Sequence, residues 1–139
     1  MSILVDTNVL SEILRSTPDP KVLGWFSAQR EDQLFVSAVT QAEMLLGACL
    51  LPQGRRRQRL EEALRGLFDT DFGSRVLPFD GDAVGHYVDI VASRRRAGRP
   101  ISQFDAQIAA ITRCRGLSVA TRNVRDFEGC GLRVVDPWA

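Results

Sequence analysis

Three apolar residues, Ile3, Leu4 and Val5, run directly into Asp6, and Thr7, Asn8 and Val9 then open a helical pattern. A short apolar run followed by cap-type residues and a helix reads as a buried strand feeding a helix. The same order of signals returns along the chain. The stretch 33–39, with Leu34, Phe35, Val36 and Val39, precedes a helix opening at Thr40; Val76, Leu77 and Phe79 precede Asp80 and Gly81; Leu117, Val119 and Ala120 precede Thr121, Arg122 and Asn123. This alternation predicts an α/β fold with a central parallel sheet of four to five strands, flanked by helices on both faces. A chain of 139 residues suits a single domain spanning 1–139. Ligands of open α/β sheets bind beyond the carboxyl ends of the strands, and Asp6 stands at such an end.

Helical spacing assigns the faces between these strands. After the turn at Thr17–Pro20, a second helix carries Val22, Leu23, Trp25 and Phe26. The helix from Thr40 has an apolar stripe of Val39, Ala42, Leu46 and Leu50, and Glu43 lies on the side of Val39, Leu46 and Gly47. A longer helix begins with Arg55, Arg56, Arg57 and Arg59 and continues through Leu60, Ala63, Leu64, Leu67 and Phe68. The next is expected to turn Val84, Tyr87, Val88 and Val91 inward and to end in Arg94, Arg95, Arg96 and Arg99, cations that oppose the helix dipole. His86 falls off that stripe and reads as a rim residue without an acid/base role. A further helix introduced by Ser102 places Phe104, Ile108, Ile111 and Thr112 on one face with Asp105 among them. Residues 123–127 read as one helical turn, and 132–135 as a last short strand.

Each candidate acid has a capping explanation. Thr40 with Glu43, and Ser102 with Asp105, match a capping box; Asn123 with Asp126 resembles one, and Asp6 suits a plain N-cap. Against this, Glu43 and Asp105 project among apolar residues, where an unpaired carboxylate is expensive. Lys21 is the only lysine, so none stands near these acids. Clustered carboxylates without a cation repel one another unless a metal compensates them. An all-oxygen donor set favours Mg²⁺ or Mn²⁺ over zinc or copper, and Mg²⁺ typically completes its shell with water and substrate phosphate. The reaction class indicated is phosphodiester hydrolysis.

LVDTNVLSE at 4–12, VTQAEMLLG at 39–47, QFDAQIAA at 103–110 and VATRNVRDF at 119–127 together resemble the four motifs of PIN-domain ribonucleases, most closely bacterial toxins of the VapC and FitB types. The resemblance includes LPFD at 77–80 and the DPW near the end of the chain. It implies a PIN fold and a metal-dependent endoribonuclease whose acidic metal-site positions are Asp6, Glu43 and Asp105. Asp6 and Asp105 would ligate Mg²⁺ or Mn²⁺, and Glu43 would act through water or on the attacking water. Asn123, where some relatives have aspartate, and Asp126 share the fourth position, and Thr7 and Thr121 would orient the ligands. It further implies an RNA substrate, a VapB- or FitA-like antitoxin, a homodimer joined through an apolar helix surface, and a heteromeric complex with operator DNA.

A net charge of +1 provides no global field for RNA, so contacts must be local, and Arg55, Arg56, Arg57 and Arg59 are the candidates. Two other functions compete. One is a FitB-like regulatory subunit of a DNA-bound complex with little or no catalysis. The other is a phosphoacceptor receiver-type domain, which resembles a site needing a late lysine that this chain lacks. Cys49, Cys114 and Cys130 show neither CxxC spacing nor an even count, which suggests reduced thiols. With no signal-peptide pattern or long apolar run, the expectation is a cytoplasmic protein without a membrane segment.

Overall fold

The structure, a computed structural model, describes Met1–Ala139. Five short strands form one parallel sheet in the order β3-β2-β1-β4-β5: β1 Ile3–Val5, β2 Leu34–Ser37, β3 Val76–Leu77, β4 Ser118–Ala120 and β5 Val134–Val135. Six helices surround it: α1 Thr7–Ile13, α2 Pro20–Ala28, α3 Ala38–Cys49, α4 Arg55–Arg65, α5 Gly81–Arg96 and α6 Gln103–Cys114. Residues Gly66–Phe72 continue α4 as a wider π-type turn, and Val124–Phe127 form a 3-10 turn. The expected sheet and helical turn are therefore present.

Successive strand side chains alternate between two cores, as the pleat requires. Ile3, Val5, Leu34, Val36 and Ala120 pack with α1, α2, α4 and Phe68 and Phe72 on one face. Leu4, Leu77 and Val119 pack with α5, α6 and Phe127 on the other. Chain order reverses direction between β1 and β4, which makes the crevice between their carboxyl ends the topological switch point.

Several helix faces differ from the spacing-based assignment. On α3 the stripe ending in Leu46 and Leu50 is solvent-facing, those residues being 58% and 74% exposed, while Thr40 and Ala48 are buried. The helix begins earlier than expected, at Ala38, because Ser37 and not Thr40 is its cap: Thr40 N–H donates to Ser37 Oγ at 3.0 Å. On α5, Val84 and Val88 are exposed; Tyr87 packs on the core as expected, and the fully buried residues are Ala83, Ile90 and Arg94. On α6, Phe104 is exposed while Ile108, Ile111 and Thr112 are buried as expected. On α3 and α5 an apolar stripe at helical period exists but the core meets a neighbouring stripe, whereas on α6 the expected stripe is buried and only Phe104 at its first turn lies outside. Packing, not periodicity alone, selects the buried face.

Candidate active site

Asp6 is the first residue past β1, and the parallel pairing continues through it, with its N–H donating to Ala120 O at 2.9 Å. The residue is buried, 5% exposed. Oδ1 accepts the Thr7 N–H at 2.8 Å, the capping bond expected of a plain N-cap. Oδ2 accepts the Thr121 hydroxyl at 2.8 Å, from the end of β4. Asp6 thus caps α1 and bridges the switch point at once. Burial raises its pKa from 3.8 to about 6; the Thr121 and Thr7 hydrogen bonds oppose this, and the charges of Asp105 and Glu43 add to it.

Glu43, half-buried on the second turn of α3, is reached through a chain of hydroxyls. Thr7 Oγ1 lies 3.1 Å from Glu43 Oε1 and 3.0 Å from Thr40 Oγ1, which is 3.2 Å from Ser37 Oγ. A carboxylate only accepts, and each hydroxyl has one proton. The Thr7 proton therefore goes to Glu43, the Thr40 proton to Thr7 and the Ser37 proton to Thr40. Ser37 and Thr40, both fully buried, are site residues that the sequence does not single out as such, Thr40 reading there only as a helix cap. The visible signal was a serine at a strand end, three residues before a threonine.

Asp105 sits in the first turn of α6, where Ser102 Oγ caps its N–H at 3.2 Å, one half of the expected capping box. Its pKa is raised by burial, opposed by the Ser102 hydroxyl; the charge of Asp126 raises it further and that of Arg94 lowers it. Asp126 therefore lies within electrostatic reach of Asp105. Asn123 makes no side-chain cap, its own N–H donating to Thr121 Oγ1 at 3.1 Å and its carbonyl accepting from Asp126 N–H at 3.0 Å. The Asn123–Asp126 capping box is absent because the turn closes through the main chain instead.

No three Asp, Glu, His or Cys side chains form a close ligand set. The acids instead act on one another pairwise through their charges, Glu43 and Asp105 on Asp6 and Asp126 on Asp105. No cationic side chain is among the groups acting on Asp6. An all-oxygen, electron-rich surround of this kind fits a hard divalent cation that keeps several of its waters and takes only one or two carboxylates directly.

A groove of about 930 Å³ opens beside Thr7 and Glu43, between α1, α3 and α4, and Arg15, Arg56 and Arg59 line it. The expected arginine cluster is therefore divided. Arg57 turns away to pair with Glu61, and Arg55 is exposed outside the groove. Arg94, expected from sequence as a last-turn cation opposing the helix dipole, is buried beneath the 126–130 segment. His86 is half-buried, its Nδ1 accepting from Arg113 Nε at 2.8 Å. All three cysteines are free thiols, and no helix is long and apolar enough to cross a membrane.

Residues 3–129 match the PIN domain family. The chain is 40% identical over 136 residues to VapC ribonuclease Y4jK of Sinorhizobium fredii, covering 98% of this chain and 97% of that protein. It is 36% identical to toxin FitB of Neisseria gonorrhoeae, covering 98% of each. Among solved structures, FitAB bound to an IR36 DNA fragment superposes with a TM-score of 0.94 at 35% identity, over 99% of this chain and 96% of that one.

Proposed function

This chain belongs to the PIN-domain family, and on that premise we propose that it is a metal-dependent endoribonuclease toxin restrained by an antitoxin of the VapB or FitA type. The observation that carries the reading is the acidic surround at the switch point, where a buried Asp6 has its pKa pushed up to about 6 in the absence of a cationic partner. Asp6 and Asp105 would hold Mg²⁺ or Mn²⁺, Glu43 would reach it through water, and Asp126 with Asn123 would complete the surround. When bound, such an ion lowers the pKa of water and offsets charge on the leaving oxygen.

The chain's own residues supply orientation. Thr121 and the Thr7 N–H hold the two Asp6 oxygens apart in fixed directions, and the Ser37–Thr40–Thr7 relay aims one proton at Glu43. Glu43, so held, is the candidate base for the attacking water. Arg56 and Arg59 beside this site are placed to meet RNA phosphates by point charge and fork geometry. A homodimer would cover the exposed Leu45, Leu46 and Leu50 of α3.

The deciding experiment is incubation of a pool of folded RNAs with the purified, antitoxin-free protein under Mg²⁺, Mn²⁺ or chelator, beside Asp6→Asn. Metal-dependent cutting lost in the variant is expected. The 0.94 superposition on a DNA-bound assembly favours a second reading, a regulatory subunit of a DNA-bound complex. A folded protein that cuts nothing with either metal, yet tightens operator binding by its antitoxin, would establish that reading instead.

A further inference from the structure

Arg94 is 6% exposed, and no carboxylate lies within ion-pair distance of it. A buried guanidinium is tolerated only when its donors are satisfied. Here they go to main-chain carbonyls: Nε donates to Arg99 O at 2.6 Å, and Nη1 to Asp126 O and Glu128 O, each at 2.9 Å. Nη1 also lies 3.6 Å from Cys130 Sγ. One side chain from the last turn of α5 therefore ties together the start of the α5–α6 connection and the segment that follows the 3-10 turn. Gly129 adopts φ +73°, and a Cβ there would stand 3.8 Å from Arg94 Cδ, so the segment wraps closely round the arginine stem. The other side-chain tie on this segment's outer side, Arg99 to Glu128, joins two half-exposed groups and is weak by comparison.

We propose that Arg94 is a positioning residue of the acidic site: by gripping the carbonyls of Asp126 and Glu128 it sets the Asp126 side chain opposite Asp105. The proposal rests on the reading of this site as a metal-dependent nuclease centre. Arg94 contributes in two separable ways. Its donors fix the path of the main chain, and its charge acts on Asp105, offsetting part of the repulsion from Asp126. Lysine keeps the charge but has one ammonium, which cannot meet Arg99 O, as Nε does, while also holding the carbonyls that Nη1 holds, so Arg94→Lys disrupts the first contribution and keeps the second. Arg94→Gln removes both.

The test combines nuclear magnetic resonance with kinetics. In the ¹⁵N-labelled wild type without metal, an Arg94 Nε–H resonance protected from exchange and absent from Arg94→Lys is expected. In folded Arg94→Lys, Mn²⁺ binding by electron paramagnetic resonance weakens and kcat falls at least about tenfold with KM nearly unchanged, because geometry at the metal moves while the RNA-contacting surface does not. Arg94→Gln falls further. An Nε–H exchanging at the rate of free arginine, or a folded Arg94→Lys with wild-type Mn²⁺ affinity and kcat, overturns the proposal. Should both arginine variants fail to fold, Gly129→Ala strains the same turn from outside the core; a weakened Mn²⁺ affinity supports the proposal, and an unchanged one overturns it. If the wild type cuts no RNA, the nuclease reading fails while the resonance and Mn²⁺ measurements still decide the role of Arg94.

Discussion

The Thr121 hydroxyl donates to Asp6 Oδ2 at 2.8 Å across 115 positions of sequence, closing the crevice between the first and fourth strands. Thr121 Oγ1 also accepts from Asn8 Nδ2 at 3.3 Å and from Asn123 N–H, so one buried oxygen joins strand ends, α1 and the 3-10 turn. Thr121→Val keeps the shape and removes every one of these bonds. We expect a stability loss of about 1–3 kcal/mol, read by denaturant unfolding. RNA cleavage should fall by at least about tenfold. Retention of the parent rate would detach Thr121 from the reaction.

Asp6 also sets a pH dependence whose sign is opposite to that of a paired carboxylate. Its folded pKa, about 6, lies above the ordinary 3.8, so the native state binds the proton more tightly and ionisation opposes folding. Its contribution is most favourable below pH 4 and is lost as pH rises from about 4 to 6, with a magnitude of about 3 kcal/mol. Asp6→Asn should therefore melt higher than the parent at pH 7.5 in chelator, with the gain shrinking toward pH 4. A gain that is equal at both pH values would mean that Asp6 ionises normally.

A divalent ion binding only the folded site must stabilise it by mass action. Mg²⁺ or Mn²⁺ should raise the melting temperature of the parent and narrow its difference from Asp6→Asn, whose own melting temperature stays flat. Calorimetry with and without ion measures this, and an equal rise in both proteins would place the ion elsewhere.

The hydroxyl relay can be broken at its buried middle. Thr40→Val leaves Ser37 without its acceptor and removes the hydroxyl that donates to Thr7 Oγ1, so Thr7 and through it Glu43 lose their anchor to the buried end of β2. A loss of about 1–2 kcal/mol in stability is expected. The catalytic part is isolated by Thr40→Ser, which should recover kcat while Thr40→Val does not. Equal kcat in the two variants would leave the relay a purely structural feature.

The arginine cluster should separate into two functional halves. Arg56→Gln with Arg59→Gln, both in the groove beside Glu43, should flatten the salt dependence of RNA binding by a slope of about 1.4, from roughly 0.7 per lost phosphate contact. Arg55→Gln with Arg57→Gln, outside that groove, should alter the slope little. Filter binding across a salt series distinguishes them, and identical slopes for the two pairs would remove the groove from RNA recognition.

Much of this was legible in the residues. Apolar runs ending in Asp6, Ser37 and Thr121 define the strand ends, since a parallel strand buried on both faces must be continuously apolar and must stop where polar groups begin. Their alternation with helices determined the α/β class, and four motifs in order determined the family. What the sequence could not assign was which stripe of each helix meets the sheet. Leu46 and Val84 lie at proper helical spacing yet face outward, because burial depends on the rotation of a helix against its neighbours rather than on its own period. Nor could it pair groups far apart in the chain. The buried arginine at 94 looks like any helix-end cation until the carbonyls of Asp126 and Glu128 close over it. Sequence therefore singled out Asp6, Glu43, Asp105 and Asp126 as candidate site carboxylates. Tertiary structure alone decided which hydroxyls and main-chain groups meet them, since hydrogen bonds are set by distances that only packing creates.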